Sequence, residues 1–429
     1  MEKNTKKGLM DSMVVGAALF SMFFGAGNMI FPPFIGLQAG QQWLSGFLGY
    51  YIADIGLALV AMFALMRARG HEPVMRPLGN KLSVLLMTAI VLCLGPFICI
   101  PRTAATTFEL SVVPLLPTFN APLFYVLFFA LVMILCLNQS AVVDIVGKIL
   151  TPVLFLGLLL LIIMGVVNPL GPTDVPPMID GVFSAGIQSG YQTMDVLATT
   201  IFGAMILNSV ASKGHTEQKD QLKVGLGASL VAGAGLLIIY MGLTYLGATV
   251  STIYDNSMDR TQLLIHLIQD ILPGNVGVVF FAIVVCMACL TTAIALTSSA
   301  ADYFCTLSRG KLQYKGLVII VCVFSAAISC VGTETIIALA SPVLSIVYPP
   351  VLALVAFSFL GHKISLWGKR LGAAVAIICG ICEVLISFGL MGNFLAVLPF
   401  GSLGFGWLLP TVVVTAIGCL MKDKEVANA

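Results

Sequence analysis

Apolar runs of about twenty residues follow one another along the chain, separated by short polar loops. A helix needs about twenty apolar residues to cross a bilayer, so each run predicts one membrane-spanning helix. The pattern predicts an all-α polytopic membrane protein whose twelve transmembrane helices lie in a lipid bilayer. The predicted spans are residues 9–37, 43–66, 82–108, 121–138, 143–167, 183–210, 224–250, 275–305, 316–331, 334–360, 370–391 and 403–421.

Composition and charge agree with that class. Hydrophobic residues make up 59% of the 429 residues and charged residues 9%, whereas a soluble domain carries roughly 25% charged residues. All 21 Lys and Arg residues except Arg102 and Arg260 fall on one side of the predicted membrane. Because positively charged loops stay in the cytoplasm, both termini are predicted to be cytoplasmic. The net charge of +2 follows this topology and indicates no nucleic-acid partner.

The first span contains a stretch that does not suit a continuous helix. It reads Gly25-Ala26-Gly27-Asn28, and Pro32 and Pro33 follow. Two close glycines weaken a helix, and the prolines restrict the backbone further on. A break exposes N–H and C=O groups inside the membrane, where they must line a cavity, and broken helices indicate a transporter's binding site. A small-residue packing face or a simple kink is the alternative.

The sixth span carries a second polar stretch, from Ser189 to Asp195, near the middle of residues 183–210. An ionised Asp at the bilayer centre costs about 2.5–3.5 kcal/mol, so Asp195 is expected inside the bundle or at a cavity. This span is therefore predicted to be broken like the first. A purely structural hydrogen bond from Asp195 to a neighbouring helix is the alternative.

A faint internal repeat supports the comparison of these two spans. Residues 149–154 in span five echo residues 339–344 in span ten. Spans one to five and six to ten then form two five-helix units, and their odd helix number inverts one relative to the other. The predicted organisation is a cytoplasmic N-terminus (1–8), a first repeat (9–167), an extracellular connector (168–182), a second repeat (183–360), helices eleven and twelve (361–421) and a cytoplasmic tail (422–429).

Other polar residues within the spans are candidates for coupling. Thr291 and Thr292 in span eight offer two hydroxyl oxygens to a cation, although their spacing alone favours back-bonding to carbonyls within the helix. Asp54, in the middle of span two, suits either ion or proton coupling or a buried structural pair. Arg102, towards the outer part of span three, is expected to act as a gate or as half of an ion pair. The candidate partners of Arg102 are Asp54, Asp195, Glu109 and Glu334.

The sequence does not indicate an enzyme, because it shows no nucleophile–base set, phosphate loop or cluster of metal ligands. Its two Cys-x-x-Cys pairs, 286–289 and 379–382, lie inside apolar spans and are expected to pack. The four histidines fall in loops, so a histidine proton relay is not expected. Residues 263–272 of the longest outer loop predict a short helix over the extracellular entrance or an interfacial helix without a gating role.

The chain resembles the bacterial branched-chain amino acid:cation symporter family (LIVCS, BrnQ-type) over essentially its whole length. The resemblance is carried by three stretches: Phe24 to Asn28 with Ile30 to Pro33, Gly95 to Phe97 with Ile100 to Thr103, and Gly190-Tyr191 with Thr193 to Asp195. It implies a LeuT-like five-plus-five inverted repeat plus two C-terminal helices, with helices 1 and 6 discontinuous. It also implies a multi-pass protein of the bacterial plasma membrane.

The resemblance also implies a sodium site between helices one and eight, because both stretches match motifs of the wider superfamily. The carbonyl groups of Ser21, Phe24 and Ala288 and the hydroxyl groups of Thr291 and Thr292 are its implied ligands. Sodium is then the coupling ion, and no other cofactor is expected. A second sodium site cannot be matched to this sequence.

The implied substrate site lies between the two breaks. The helix that begins near Gly27 presents free N–H groups and its positive dipole end to a carboxylate, and the break in span six presents carbonyls and Asp195 to an ammonium group. A pocket for an aliphatic side chain would be lined in part by Phe97. The expected substrate residues are Ala26, Gly27, Asn28, Phe97, Gly190, Tyr191, Thr193, Met194 and Asp195, with Asp54 and Arg102 in coupling or gating.

The family implies leucine, isoleucine or valine as the substrate, imported with Na⁺ by alternating access. A protonatable Asp54 or Asp195 leaves H⁺ coupling as an alternative. A sensor of the same fold, which binds an amino acid without transporting it, is a further alternative. The sequence gives no indication of oligomeric state.

Overall fold

A computed structural model describes residues 2–137, 151–272 and 274–421, and within these ranges every regular element is helical. The last residue of predicted span four, the start of predicted span five with residues 149–150 of the repeat, and the tail 422–429 lie outside the described residues. Each predicted span corresponds to one helix or to a pair of helices.

The described residues of the first repeat contain spans one to five. Short helical turns join several of these helices, including π turns at Ile52–Gly56, Cys93–Phe97 and Phe108–Val112. The helices are α1 (Glu2–Phe23), α2 (Ala26–Ala39), α3 (Trp43–Tyr51), α4 (Leu57–Ala68), α5 (His71–Met75), α6 (Asn80–Leu92), α7 (Cys99–Thr107), α8 (Ala121–Leu137) and α9 (Thr151–Val167).

The second repeat and the C-terminal pair follow after the connector. The helices are α10 (Val182–Tyr191), α11 (Asp195–Ser212), α12 (Gln218–Ala248), α13 (Arg260–Ile271), α14 (Asn275–Leu307), α15 (Tyr314–Ser329), α16 (Thr333–Leu360), α17 (Leu366–Ser387) and α18 (Leu408–Leu420). The short helix expected in the outer loop is α13, which begins at Arg260 and buries one apolar face against the bundle.

Span one is broken where the sequence predicts it. Helix α1 ends at Phe23 and α2 begins at Ala26, with Gly25 in an extended conformation at φ −119° and ψ −163°. Glycine suits this position because an added Cβ would lie 3.1 Å from the hydroxyl oxygen of Thr292. Pro32 and Pro33 lie inside α2. The break therefore comes from the glycine stretch rather than from the prolines.

Span six is broken as well. Helix α10 ends at Tyr191 and α11 begins at Asp195, and Gln192 and Thr193 form the turn between them. Met194 has φ +70° and ψ 15°, a left-handed conformation that costs a non-glycine residue free energy. Its fully buried side chain holds it in this conformation.

The two broken spans are each held by an intact span of the other repeat. Both α1 and α2 pack along α12, which is span seven. In the matching arrangement, α10 packs on α3 and α11 packs on α4, which together form span two. This reciprocal packing brings the two breaks to the centre of the bundle.

Small residues set the closest of these contacts, between α2 and α12. An added Cβ would lie 1.9 Å from the Thr244 carbonyl oxygen at Gly36, and 1.9 Å from the Pro33 carbonyl oxygen at Gly247. Glycine at both positions allows the two backbones to touch, as small residues commonly do between membrane helices. The position of α2 therefore depends on these two glycines.

We predict that Gly247→Ala destabilises the protein by about 1–3 kcal/mol, because the new methyl group overlaps the Pro33 carbonyl. The measurement is the fraction of detergent-solubilised protein that stays monodisperse after heating. Gly316→Ala on α15 is the matched control, since no atom lies within 4 Å of its added Cβ. Equal stability of the two variants would contradict the proposed close contact.

Candidate functional site

Asn28, in the first turn of α2, connects the two breaks directly. Its side-chain nitrogen donates to a carboxylate oxygen of Asp195, the first residue of α11, at 2.9 Å. Its side-chain oxygen accepts from the backbone N–H of Gly25 at 3.4 Å, which caps α2. One amide side chain thus stabilises the start of α2 and fixes its distance from α11.

Tyr240 of α12 completes this contact from the intact span seven. The Asn28 side-chain nitrogen also donates to the Tyr240 hydroxyl oxygen at 2.5 Å, and the Tyr50 ring packs edge-on against Tyr240 at 5.2 Å between centroids. Both tyrosines are fully buried. Sequence reasoning missed Tyr240. The available signal was a hydroxyl-bearing residue in the apolar run of span seven, but its partner Asn28 lies 212 residues away.

Asp54 reaches the second break from span two. It lies in the π turn Ile52–Gly56, whose extra residue changes the direction of the side chains that follow. The Thr193 hydroxyl lies 2.8 Å from an Asp54 carboxylate oxygen and 2.6 Å from the Gly190 carbonyl oxygen, so it can donate to either. Asp54 is completely buried. Asp54 and Asp195 are therefore neighbours in the structure, since Thr193 lies two residues before Asp195.

Arg102 of α7 occupies the space between the two breaks. Its guanidinium donates to the carbonyl oxygens of Gln192 at 2.7 Å and of Thr193 at 3.5 Å. An added Cβ at Gly27 would lie 2.9 Å from the guanidinium, so the group also touches the start of α2. Asn28, Asp54, Arg102, Thr193, Asp195 and Tyr240 together form what we call the central cluster.

The prediction of a carboxylate partner for Arg102 was wrong, whereas its role as a gate stays a prediction. Within the described part of the chain, Arg102 forms no ion pair with any of the four candidates. Glu109 accepts from the Thr333 backbone N–H at 3.0 Å instead, and Glu334 pairs with Arg260. The physical reason is that span six unwinds beside Arg102, so two carbonyls released from helical hydrogen bonding satisfy the guanidinium.

The five residues of the implied sodium site lie on α14 and at the end of α1, two helices that pack on each other. Thr292 lies against Gly25, and the hydroxyls of Thr291 and Thr292 both donate to the Ala288 carbonyl oxygen, at 2.8 and 3.1 Å. Ser21 and Phe24 lie at the end of α1 and are buried. This arrangement is the back-bonded alternative. An ion bound here would compete with the two hydroxyls for the Ala288 carbonyl oxygen.

Two cavities adjoin the central cluster. The smaller has a volume of about 10 Å³, room for about one water molecule, and is lined by residues that include Ala26, Asn28, Arg102, Thr193, Asp195 and Thr292. The larger, of about 840 Å³, is a vestibule that opens at the end of the bundle near Asp180 and Arg260. Tyr191 and Gln192 lie at its inner end, beside the Arg102 contact.

Three of the expected substrate residues lie elsewhere than expected. Phe97 is 49% exposed on the outside of the bundle, where it packs on Phe324 with 5.0 Å between ring centroids. The π turn Cys93–Phe97 and the non-helical Ile98 rotate the chain, so Cys99 rather than Phe97 faces the small cavity. Phe97 is therefore corrected to a surface residue.

Gly190 and Met194 belong to the break but line neither cavity. An added Cβ at Gly190 would lie 2.7 Å from the Tyr50 carbonyl oxygen, so this glycine faces span two and allows the close packing of α10. Tyr191 faces the vestibule, where its ring packs on Tyr348 at 4.6 Å between centroids. Ala26, Asn28, Thr193 and Asp195 line the small cavity, and Gly27 touches Arg102.

Solved structures with the same architecture are membrane symporters. A nucleobase-cation-symport-1 family transporter in a closed conformation matches with a TM-score of 0.66 at 16% identity, covering 95% of this chain and 92% of the other. A Na⁺-coupled sialic acid symporter in an outward-open state matches with a TM-score of 0.64 at 14% identity, covering 96% and 90%. The predicted LeuT-like inverted-repeat fold is confirmed. The fold and the broken helices define a multi-pass helical membrane protein of this architecture.

The chain belongs to the family described as branched-chain amino acid transport protein, whose profile matches residues 9–425. It is 36% identical to the branched-chain amino acid transport system 3 carrier protein of Pseudomonas aeruginosa over 98% of each chain. It is 35% identical to the branched-chain amino acid permease BraB of Bacillus subtilis, over 96% of this chain and 95% of the relative. The resemblance found in the sequence is thereby confirmed.

We predict that Asn28→Ala lowers the free energy of unfolding by about 2 kcal/mol, because a buried carboxyl and a buried hydroxyl lose their shared donor. The measurement is thermal unfolding in detergent without added amino acid. Thr199→Ala on α11 is the control, since the Thr199 hydroxyl is equally buried but donates only to Val196 in its own helix. A larger loss for Thr199→Ala would contradict the bridging role of Asn28.

Proposed function

We propose that this protein is a symporter that imports leucine, isoleucine or valine with Na⁺ across the bacterial plasma membrane by alternating access. The observation that carries the proposal is the meeting of two helix breaks at the Asn28–Asp195 hydrogen bond, beside two threonine hydroxyls and beneath a vestibule. Backbone polar groups exposed at membrane depth need a ligand or a partner, and here they surround a shared cavity. The names of the relatives support a branched-chain substrate.

The amino acid is proposed to bind with its carboxylate at the start of α2 and its ammonium group at Asp195. The first N–H groups of α2 have no partner within the helix and carry its positive dipole end. The Arg102 guanidinium beside Gly27 adds a second, charged donor for the carboxylate. The small cavity must enlarge to admit leucine, and its apolar walls at Phe23, Leu94 and Phe202 suit an aliphatic side chain.

Na⁺ is proposed to bind between α1 and α14. The carbonyls of Ser21 and Phe24 are at the end of α1, where the helix no longer provides their hydrogen-bond donors. The hydroxyls of Thr291 and Thr292 would turn from the Ala288 carbonyl to the ion, which frees that carbonyl as a fifth oxygen ligand. A cage of neutral oxygens suits a small hard cation.

The residues at the rim of the vestibule indicate the side of the membrane to which it opens. Its rim contains Gln38, Asp180, Arg260 and Glu334, which lie in or beside the loops that the distribution of Lys and Arg predicts to be extracellular. With both termini cytoplasmic, the open side faces outward. Arg260 pairs with Glu334 across the rim and lies over the Phe34 ring at 4.6 Å, so α13 is held to α2 and α16 at the entrance.

H⁺ coupling is the second candidate, because the buried carboxyl groups of Asp54 and Asp195 lie side by side in the central cluster. A sensor that binds an amino acid without transporting it is the third candidate. Counterflow in vesicles separates the sensor from the symporter, since only a transporter exchanges internal for external leucine.

We predict that an inward Na⁺ gradient drives leucine uptake into proteoliposomes, and that Thr291→Ala combined with Thr292→Ala abolishes this dependence on Na⁺. Both hydroxyl ligands are then missing, while leucine counterflow at high concentration persists. Thr306→Ala is the matched control on the same helix, where the side chain is exposed. Uptake driven by a proton gradient alone, and unaffected by the double substitution, would exclude this sodium site.

We predict that Arg102→Lys lowers leucine uptake at least tenfold, whereas Phe97→Ala changes it less than twofold. A lysine ammonium is a point charge and cannot reproduce the forked contact with Gln192 and Thr193, and one buried hydrogen bond to a charged group is worth about 1.5–3 kcal/mol. Phe97 lies on the outside of the bundle. The opposite order of effects would restore Phe97 to the site and remove Arg102 from it.

A further inference from the structure

Asp54 and Asp195 form a buried pair of acids. One Asp54 carboxylate oxygen is near the Thr193 hydroxyl, and the other forms no hydrogen bond, although the hydroxyls of Tyr50 and Tyr240 are close to this carboxyl group. Asp195 accepts from the Asn28 amide. The carboxyl groups come from span two of the first repeat and span six of the second, and they are neighbours at the second break, where Asp54 contacts Thr193, two residues before Asp195.

The charged and titratable groups around the pair do not neutralise two carboxylates. Arg102 contributes one positive charge, but its guanidinium binds the carbonyls of Gln192 and Thr193. The other titratable groups near the pair are a cysteine and tyrosines from several elements, namely Tyr50, Tyr51, Cys99, Tyr240 and Tyr348. Two adjacent carboxylates without a cation between them cannot both be ionised when they are buried.

We propose that Asp54 and Asp195 share one proton, and that this proton leaves when leucine and Na⁺ bind. One proton on the pair leaves a single negative charge, which balances Arg102. Leucine enters as a zwitterion whose ammonium group faces Asp195, and Na⁺ adds one positive charge. The second carboxylate can then ionise with the site again neutral, and the proton passes to solvent.

This inference rests on the proposed symport function and adds to it the exchange of one proton for leucine and Na⁺ when they bind. The empty site carries the proton, and the loaded site carries the amino acid with Na⁺. Because protonation and loading compete, leucine binding weakens as the pH falls. At pH values where nearly every empty site holds the shared proton, each fall of one pH unit lowers the affinity for leucine tenfold.

The shared proton is tested without any ligand. Infrared absorption of protonated carboxyl groups is recorded at neutral pH in H₂O and D₂O for the wild type, Asp54→Asn and Asp195→Asn. We expect a deuterium-sensitive band in the wild type that both variants lose, because removal of either carboxyl leaves the other ionised. Asp302→Asn, an exposed carboxyl on α14, is the control and keeps the band. A band that survives in both variants overturns the proposal.

The coupling is tested with leucine binding to wild-type protein in weakly buffered detergent that contains saturating Na⁺ and a pH-sensitive dye. We expect release of about one proton for each leucine bound. In Asp54→Asn, the leucine binding that remains should release no proton and should not depend on pH, since the new amide donates to Asp195 in place of the proton.

The two measurements separate failure of this inference from failure of the proposed function. Leucine binding without proton release in the wild type overturns the coupling and leaves the symporter intact. Absence of leucine binding to the wild type removes the proposed substrate, and the infrared band still decides whether the pair holds a proton.

Discussion

The cost of leaving backbone polar groups unpaired inside a membrane governs the centre of this protein. Two spans stop being helical at the same depth, at Gly25 and at Gln192 to Met194, and each break releases donors or acceptors. The central cluster compensates for this loss: Asn28 caps α2, and Arg102 takes two carbonyls of the second break. The groups proposed to recognise an amino acid are therefore the same groups that keep the unliganded bundle folded.

The sequence predicted the breaks because their causes are local. Two glycines in four residues and a run of polar residues in an apolar span act on their own backbone, whatever surrounds them. The helix count followed in the same way from the length of apolar runs. The partner of Arg102 and the direction of Phe97 could not be predicted, because both depend on how distant segments meet and on a π turn that rotates one helix. Tyr240 was missed for the same reason.

The implied sodium residues illustrate a limit of another kind. The sequence alone favoured back-bonding of Thr291 and Thr292, the resemblance favoured an ion, and the geometry has both hydroxyls on Ala288. The two interpretations are compatible, since a hydroxyl that bonds weakly within its helix can turn to a cation. Ligand exchange of this kind requires that the alternative partners be close in free energy.

The reciprocal packing of the broken spans has a mechanical consequence. Span one lies along span seven through backbone contacts at Gly36 and Gly247, and span six lies along span two at Gly190. Neither half of a broken helix can slide without moving a rigid neighbour that belongs to the other repeat. A displacement that begins at one break is therefore expected to reach both repeats, because spans one, two, six and seven are joined by these close contacts.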